Sequence, residues 1–498
     1  MNKRTAWKIY QEYRDELAAY QLVMATTYFD KETIAPSAGN AYRNRKLAKL
    51  SGALFKIETD PKILEVIDYL AKQAKDPLIK REMQLAKKNL ADICTFSQQE
   101  TMDWELLCAD SFDAWYQAKT QADYSLFAPY LKKLIKGSIE RAQRRRPDML
   151  PYDVVLDDFE EGLTTLTYDH FFGLIKSELL PLIQKVKEKE AQVDSSFLYA
   201  YYPVAKQQEF AKILLDYLGF AKSWGYLGIS EHPFTSGFSR NDVRITTSYD
   251  EHNIASTIFS IIHEAGHAYY EHQVAAKYDD LLIRSQISSG MHESQSRFLE
   301  NYIGKRFSFW TSLYPKLQEL FPENLGNISQ EQFIKAINAS CPSLIRIEAD
   351  ELTYPIHILI RYEMEKELFA GQLDLNELSA IWNQKYQTYL GVSATNDREG
   401  ILQDIHWSGA SFGYFPTYAL GSAVAAQLFR KMEAELPVDE LLAKGQFKQL
   451  EKWLKTKVQH DGALLKMDDI LLRATGENFN PVYYINYLKA KYTELYQL

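Results

Sequence analysis

The sequence predicts a mainly α-helical fold that includes a small antiparallel β-sheet. Over most of the 498-residue chain, apolar side chains recur at the i, i+3, i+4, i+7 spacing of amphipathic helices. Residues 224–249 break this pattern: glycines and a proline come first, and a run of β-branched residues follows. No linker, low-complexity tract or internal repeat interrupts the chain, so we expect a single domain over residues 1–498.

Residues 1–195 are predicted to form a helical N-terminal lobe, a lid over a catalytic portion at residues 196–498. Pro181 lies in an amphipathic pattern, where it predicts a kink or a helix start. Another apolar face is formed by Leu131, Leu134, Ile135 and Ile139. This part is rich in tyrosine, lysine and glutamate and poor in glycine, which favours a structural role.

The strand prediction rests on residues 243–247, with the β-branched sequence VRITT. An unpaired edge of this strand could bind a peptide backbone by strand addition. A plain connecting hairpin explains the same spacing equally well, so both interpretations stay open.

The helix predicted next contains HEAGH at residues 263–267. His263 and His267 lie one turn apart on one helical face, so both imidazoles can bind one Zn²⁺ at about 2.0–2.1 Å. Glu264 lies between them, where its carboxylate can reach a water on the metal without being a ligand. This HExxH pattern is typical of zinc hydrolases and predicts Glu264 as the general base and acid.

The start of this helix is predicted from a capping box formed by Ser248 and Glu251. Near its end, His272 follows His263 by nine residues, about half a turn out of phase. We therefore expect the His272 ring to point away from the metal.

A catalytic zinc site needs three protein ligands and an open position for water. His292 and Glu293 lie in the next predicted helix, and neighbours on a helix differ by about 100° in direction, so only one of them can ligate. We predict Glu293, because its charge partly neutralises Zn²⁺. A tetrahedral oxyanion needs a further donor, for which His406, Tyr414 and Tyr418 are candidates.

Composition excludes other classes of protein. A net charge of −9 argues against a nucleic-acid-binding protein. No apolar run approaches the roughly 20 residues of a membrane helix, and the charged N-terminal sequence does not resemble a signal peptide. Three cysteines without paired spacing are typical of a reducing compartment, so we expect a cytoplasmic location.

Several longer motifs carry a resemblance to a known family. They are YDVVLDDFE at 152–160, HPF at 232–234, DVRITT at 242–247, HEAGH at 263–267, HESQ at 292–295, IRIEAD at 345–350 and GILQDIHW at 400–407. In order and spacing the sequence resembles the carboxypeptidase Taq family of zinc metallocarboxypeptidases, over nearly the full chain.

The resemblance implies a large helical body divided by a deep active-site groove, similar to neurolysin and angiotensin-converting enzyme. It implies a homodimer that removes single amino acids from the free C-terminus of peptides, with one zinc ion, or a cobalt ion, per chain. By motif, His263, His267 and Glu293 would be the metal ligands and Glu264 the base.

The resemblance also implies substrate-binding residues. Arg346 would bind the substrate's carboxylate, since a guanidinium binds carboxylates bidentately; the alternative is an ion pair with Glu348 or Asp350. His232, His406 and Tyr418 would hold substrate carbonyls or the oxyanion. Further candidates for substrate binding are Arg244 and Tyr414, although Arg244, Asp242 and Asp404 could instead form scaffold ion pairs.

Two other functions compete with this one. An endo-oligopeptidase or dipeptidase would use the same metal centre but would not need a free C-terminus. A helical peptide-binding protein with a vestigial site is disfavoured by the intact set His263, Glu264, His267 and Glu293.

Overall fold

Helices make up most of the structure, which is a computed structural model. It describes residues 2–498, and of Asp92 it describes only the backbone. Before the sheet lie α1 (Lys3–Thr33), α2 (Asn40–Glu58), α3 (Pro61–Gln73), α4 (Pro77–Thr95), α5 (Gln98–Gln121), α6 (Ala128–Arg145), α7 (Pro151–Phe159), α8 (Thr165–Lys187) and α9 (Val204–Leu218). The mainly α-helical prediction is confirmed. Pro181 lies inside α8, so a helix does not start there.

After the sheet the chain is again helical. The helices are α10 (Ile254–Gln273), α11 (Leu282–Ser285), α12 (Ser289–Arg297), α13 (Phe307–Trp310), α14 (Tyr314–Leu320), α15 (Pro322–Leu325), α16 (Gln330–Ile337), α17 (Tyr354–Phe369), α18 (Leu378–Leu390), α19 (Phe415–Glu435), α20 (Val438–Ala443), α21 (Lys448–Lys457), α22 (Met467–Thr475) and α23 (Val482–Tyr496). A π-helical segment, Phe298–Ile303, continues α12.

The sheet has three strands, β1 (Gly225–Ile229), β2 (Thr235–Ser239) and β3 (Asp242–Thr247), in the order β1-β3-β2. Strand β3 runs antiparallel to β2 and parallel to β1. The prediction of an antiparallel sheet is therefore wrong for one of its two pairings. The hairpin β2–β3 is antiparallel, but β1 pairs with the other edge of β3 in the same direction.

Because β3 is paired on both sides, it has no free edge for a peptide. The free edges belong to β1 and β2. Val243 and Ile245 are fully buried on the face of β3 that packs against α10. The sheet thus supports the helix that carries the HEAGH sequence.

Helix α10 begins five residues later than the capping-box prediction. Asn253 is its N-cap, and its side chain accepts a hydrogen bond from the backbone N–H of Ser256. The prediction at Ser248 is wrong because Asp250 forms a turn instead, accepting the backbone N–H of His252 at 2.8 Å. Such local side-chain turns compete with helix initiation.

Helix α12 packs between α10 and α19. Gly266 of α10 and Gly421 of α19 lie at these two contacts, where neither position has room for a β-carbon. Buried apolar side chains form one connected core that extends from Ala6 to Tyr496. No helix within residues 2–498 has both the length and the apolar character that a membrane span requires.

Candidate active site

Three side chains predicted as metal ligands come together: His263, His267 and Glu293. One possible ligand atom from each lies within 4.8 Å of the other two. The Glu293 Oε2 atom is 3.7 Å from His263 Nε2 and 3.5 Å from His267 Nε2. Ligands about 2.1 Å from a tetrahedral ion lie about 3.4 Å apart. The donor set therefore fits an ion of the size of Zn²⁺.

Both imidazoles are held through their Nδ1 atoms. His263 Nδ1 lies 2.7 Å from Glu300 Oε2, and His267 Nδ1 lies 2.6 Å from His292 Nδ1. These contacts leave both Nε2 atoms directed at Glu293. Because the partner of one ring nitrogen sets which nitrogen can bind a metal, the local structure presents Nε2 on each ligand.

The charges around Glu293 keep its carboxyl ionised. Burial raises the pKa of Glu293, but the Arg297 guanidinium and the imidazole of His263 outweigh burial and hold this pKa well below its usual range. Burial also raises the pKa of Glu300, but Arg297 and His263 lower it to about 2. Burial lowers the pKa of His263, and the carboxylates of Glu293 and Glu300 more than reverse this effect.

Arg297 was missed by the sequence reasoning. Its Nε donates to Glu293 Oε1 at 2.7 Å, and its Nη1 donates to Glu300 Oε2 at 3.0 Å. The guanidinium also lies 4.4 Å from the ring centroid of Tyr354. The signal for Arg297 was its position one helical turn after Glu293, where i,i+4 ion pairs form.

Glu264 is buried and points toward the sheet. Its Oε2 atom accepts a hydrogen bond of 2.5 Å from the hydroxyl of Thr235, the first residue of β2. The same hydroxyl lies 3.1 Å from the Glu264 carbonyl oxygen. Thr235, also missed from the sequence, thus fixes the predicted base against the strand.

The three oxyanion candidates form one cluster. His406 Nε2 lies 3.3 Å from the Tyr418 hydroxyl, and the rings of Tyr414 and Tyr418 are 5.2 Å apart. Burial raises the pKa of both tyrosines, and the charge of Glu293 contributes to both increases. The pKa of His406 falls to about 4, mainly by burial, and Arg346 contributes. The cluster is therefore uncharged near neutral pH, and both of its tyrosines lie within the electrostatic influence of Glu293.

Arg346 is buried at the start of a 3₁₀-helix, Arg346–Glu348, and its partner is Asp404. Its Nε and Nη2 donate to Asp404 Oδ1 at 3.0 and 2.8 Å. Its Nη1 lies 3.4 Å from the Tyr354 hydroxyl. The predicted alternative partners were wrong, since Asp350 instead caps the turn before α17.

A second buried arginine, Arg361, contacts the same carboxylate and was missed from the sequence. Its Nε donates to Asp404 Oδ2 at 2.7 Å, and its guanidinium lies 4.6 Å from the Trp382 ring. Two arginines and one aspartate leave a net charge of +1 in this cluster. The signal was a single arginine in the apolar run YPIHILIRY of α17.

Other predicted residues lie apart from the metal ligands or are already paired. His232 is exposed between β1 and β2. Arg244 of β3 pairs with Asp242 at 2.8 Å and stacks on Phe238, in agreement with the scaffold interpretation. The prediction for His272 is confirmed: its Nδ1 lies 2.5 Å from the carbonyl oxygen of Arg240, away from the ligands.

Comparison with known proteins identifies the family of this chain. A family model described as "Carboxypeptidase Taq (M32) metallopeptidase" matches residues 9–492. Carboxypeptidase 1 of Bacillus subtilis is 40% identical over 501 residues, and thermostable carboxypeptidase 1 of Thermus thermophilus is 35% identical over 513 residues; each comparison covers 100% of both chains. A crystal structure of the M32 carboxypeptidase from Deinococcus radiodurans R1 superposes with a TM-score of 0.96 at 30% identity, covering 99% of this chain and 100% of that one. The chain therefore belongs to the carboxypeptidase Taq (M32) family of metallopeptidases, and it is a metal-dependent carboxypeptidase.

Proposed function

We propose that the enzyme releases single amino acids from peptides with a free C-terminus, using one Zn²⁺, or Co²⁺, held by His263, His267 and Glu293. The observation that carries this proposal is the convergence of these three donors beside Glu264. Both ions suit two imidazoles and a carboxylate, and availability would decide between them.

A bound ion would supply Lewis acidity, polarising the scissile carbonyl and bringing the pKa of a water toward about 7. Glu264 then takes a proton from the attacking water on its carboxylate and returns it to the leaving amine. The Thr235 hydroxyl holds Glu264 Oε2, so the carboxylate enters the reaction already oriented.

The developing oxyanion needs a donor from the protein. Tyr418 is our first candidate, because burial keeps its hydroxyl protonated and the hydroxyl already contacts His406. His406 and Tyr414 would orient the Tyr418 side chain or donate to a neighbouring carbonyl. Preorganised donors of this kind contribute about 2.7–4 kcal/mol to transition-state stabilisation.

Arg346 is proposed to bind the substrate's terminal carboxylate. Asp404 accepts from Nε and Nη2 of Arg346, whereas Nη1 contacts only a neutral phenol. The net charge of +1 shared with Arg361 would attract an anion there. The buried side chain is fixed in place, which reduces the entropy lost on binding.

The remaining substrate contacts are proposed from the sheet. The free edge of β2 begins at Thr235, beside Glu264, so an extended peptide could add to it by main-chain hydrogen bonds. His232 would flank that peptide, whereas Arg244, on the central strand β3, would support the sheet through its pair with Asp242. We also propose the deep groove, similar to that of neurolysin and angiotensin-converting enzyme, and a lid role for residues 1–195. One contact favours the lid role: the ring of Phe29 in α1 lies 5.7 Å from the ring of Phe234, just before β2.

The catalytic proposal is tested with Glu264→Gln. We expect bound metal to be retained and kcat to fall by several orders of magnitude. Full activity with metal bound would contradict the mechanism.

The substrate proposal is tested with a matched pair of peptides, one with a free and one with an amidated C-terminus. Equal cleavage of both would indicate an endo-oligopeptidase or dipeptidase instead.

The quaternary structure and location are also proposals. We propose a cytoplasmic homodimer that binds neither nucleic acid nor membranes, on the basis of the family resemblance, the net charge of −9 and the three free cysteines. Light scattering on the purified protein tests the dimeric state. A mass near that of one 57.6 kDa chain would contradict the homodimer.

A further inference from the structure

His292 stands directly behind one of the two imidazole ligands. Its Nδ1 lies 2.6 Å from His267 Nδ1, on the side of the His267 ring that faces away from Glu293. His263 has a carboxylate, Glu300, in the equivalent place. The two ligand imidazoles are therefore held by different chemistry, one by an anion and one by a second imidazole.

The positions of the protons follow from the hydrogen-bond geometry. Two facing ring nitrogens can form a hydrogen bond only if one carries a proton and the other does not. His267 must leave Nε2 bare to bind a metal, so its proton is on Nδ1 and His292 Nδ1 accepts it. The proton of neutral His292 is then on Nε2, which lies 3.1 Å from Glu271 Oε1 and donates to it.

Glu271 is itself fixed at the end of this chain of contacts. Arg284 Nη2 contacts the Glu271 carboxylate at 3.3 Å and its backbone carbonyl at 3.1 Å. The carboxylate also fills the space that a β-carbon would occupy at Gly237 of β2. The Tyr270 ring stacks on His292, with 5.4 Å between centroids. His292 thus has little freedom to rotate.

We infer that His292 is a positioning residue: it accepts the Nδ1 proton of His267 and passes the orientation imposed by Glu271 to that ligand. This inference rests on the metal site proposed above. His292 does not ligate, because its Nδ1 is on the opposite side of the His267 ring from the ligand atom. Loss of such an outer partner lowers metal affinity about 10–100-fold.

Two isosteric variants separate the Nδ1 contact from the Nε2 contact. In His292→Asn the amide oxygen takes the place of Nδ1 and can accept from His267. In His292→Gln the side-chain amide reaches only the place of Nε2 and can contact Glu271. Zinc affinity is measured without substrate, by competition with a chromogenic chelator. We expect His292→Asn to stay within about 3-fold of the wild type, and His292→Gln to bind zinc about 10–100-fold more weakly.

His272→Asn and His272→Gln are the matched controls, since His272 lies on the same helix as His267 but points away; neither should change zinc affinity. Equal losses in His292→Asn and His292→Gln, or no loss in either, would overturn the inference. A wild-type protein that binds no stoichiometric zinc, or a His263→Ala variant that binds it as tightly, would instead overturn the metal site itself.

A second measurement needs no variant and so does not depend on a substitution folding. In the Co²⁺-loaded wild type, proton NMR should show two shifted, slowly exchanging imidazole N–H signals, one for each ligand held through Nδ1. A single slowly exchanging signal would contradict the bond from His267 to His292.

Discussion

Gly266 of α10 and Ser296 of α12 meet backbone to backbone: a β-carbon at Gly266 would lie 2.5 Å from the Ser296 Cα atom. Residues on these two helices supply all three proposed ligands. The glycine within HEAGH therefore contributes to the proposed metal site through the distance that it sets between the helices.

Gly266→Ala should push α12 away from α10, because the obstacle is backbone and cannot rotate aside. We expect a loss of about 1–3 kcal/mol in the free energy of unfolding, as for other overpacked contacts, together with weaker zinc binding. Chemical denaturation and chelator competition measure the two effects. Gly173→Ala, in α8 with nothing within 4 Å of the added carbon, is the control and should be neutral or slightly stabilising.

Arg346→Ala should lower kcat/KM on substrates with a free carboxylate by the equivalent of about 2–5 kcal/mol, if the carboxylate is then left without its charged partner. Asp404 keeps its pairing to Arg361, so the thermal midpoint should change little. Arg346→Lys retains the charge without the bidentate geometry and should give an intermediate loss. Unchanged steady-state kinetics in Arg346→Ala would contradict the proposed role of Arg346 in carboxylate binding.

Glu160 should make stability fall as the pH rises. Burial raises the pKa of this carboxyl from 4.5 to about 7, although Ser288 and the N–H of Gly290 oppose it. Between pH 4.5 and about pH 7 the unfolded chain has lost the proton that the folded chain keeps. The free energy of unfolding therefore falls by up to about 3 kcal/mol across this range. Glu160→Gln should remove this loss. In urea denaturation, the stability of the variant relative to wild type should therefore increase from pH 5 to pH 8.

Glu161 provides a control of opposite sign. Burial raises its pKa, but ion pairs with Arg81 and Lys466 hold the pKa below its usual range. Its contribution to stability is therefore present above the unfolded pKa and is lost as the pH falls. If Glu161→Gln and Glu160→Gln shift the pH profile in the same direction, the burial argument for Glu160 is wrong.

Lys491→Met should destabilise the protein by about 3–5 kcal/mol, because it leaves a buried carboxylate unpaired. Lys491 Nζ lies 2.5 Å from Glu351 Oε2, and the Glu351 side chain is only 1% exposed. The double variant Lys491→Met/Glu351→Gln should recover much of the loss. Thermal unfolding of the two variants measures both effects, and equal midpoints would contradict the pairing.

Metal removal should abolish peptidase activity and leave the fold intact. The connected core from Ala6 to Tyr496 is built from apolar side chains and includes none of the three proposed ligands, so we expect it to stay folded without an ion. After dialysis against a chelator, circular dichroism should retain its helical signal, and Zn²⁺ should restore activity. Global unfolding on chelation would show that the metal is structural.

The sequence predicted those features that depend on local spacing. His263 and His267 share a face because of helical periodicity, and Glu293 follows from the charge that a catalytic site needs. The pairings of Asp404 with Arg346 and Arg361 join segments more than 40 residues apart, and no local pattern encodes them. The parallel pairing of β1 was missed for the same reason, since Gly225–Ile229 chooses its partner by tertiary packing.

The same physics explains the errors at helix starts. Ser248 and Glu251 have the spacing of a capping box, but the side chain of Asp250 accepts a hydrogen bond from the backbone N–H of His252 and forms a turn there. The capping box and the Asp250 turn require different conformations of the same short segment, and the sequence does not show which one is formed.

The position of α12 between Gly266 and Gly421 has a consequence for ion selectivity. A β-carbon at Gly421 would lie 2.6 Å from Glu293 Cγ, so the ligand helix has no space to retreat on either side. A proposed cage of His263, His267 and Glu293 that cannot widen would disfavour ions such as Ca²⁺, which need 6–8 oxygen ligands at about 2.3–2.6 Å. Selection by radius would then come from two residues that have no side chain and never touch the ion.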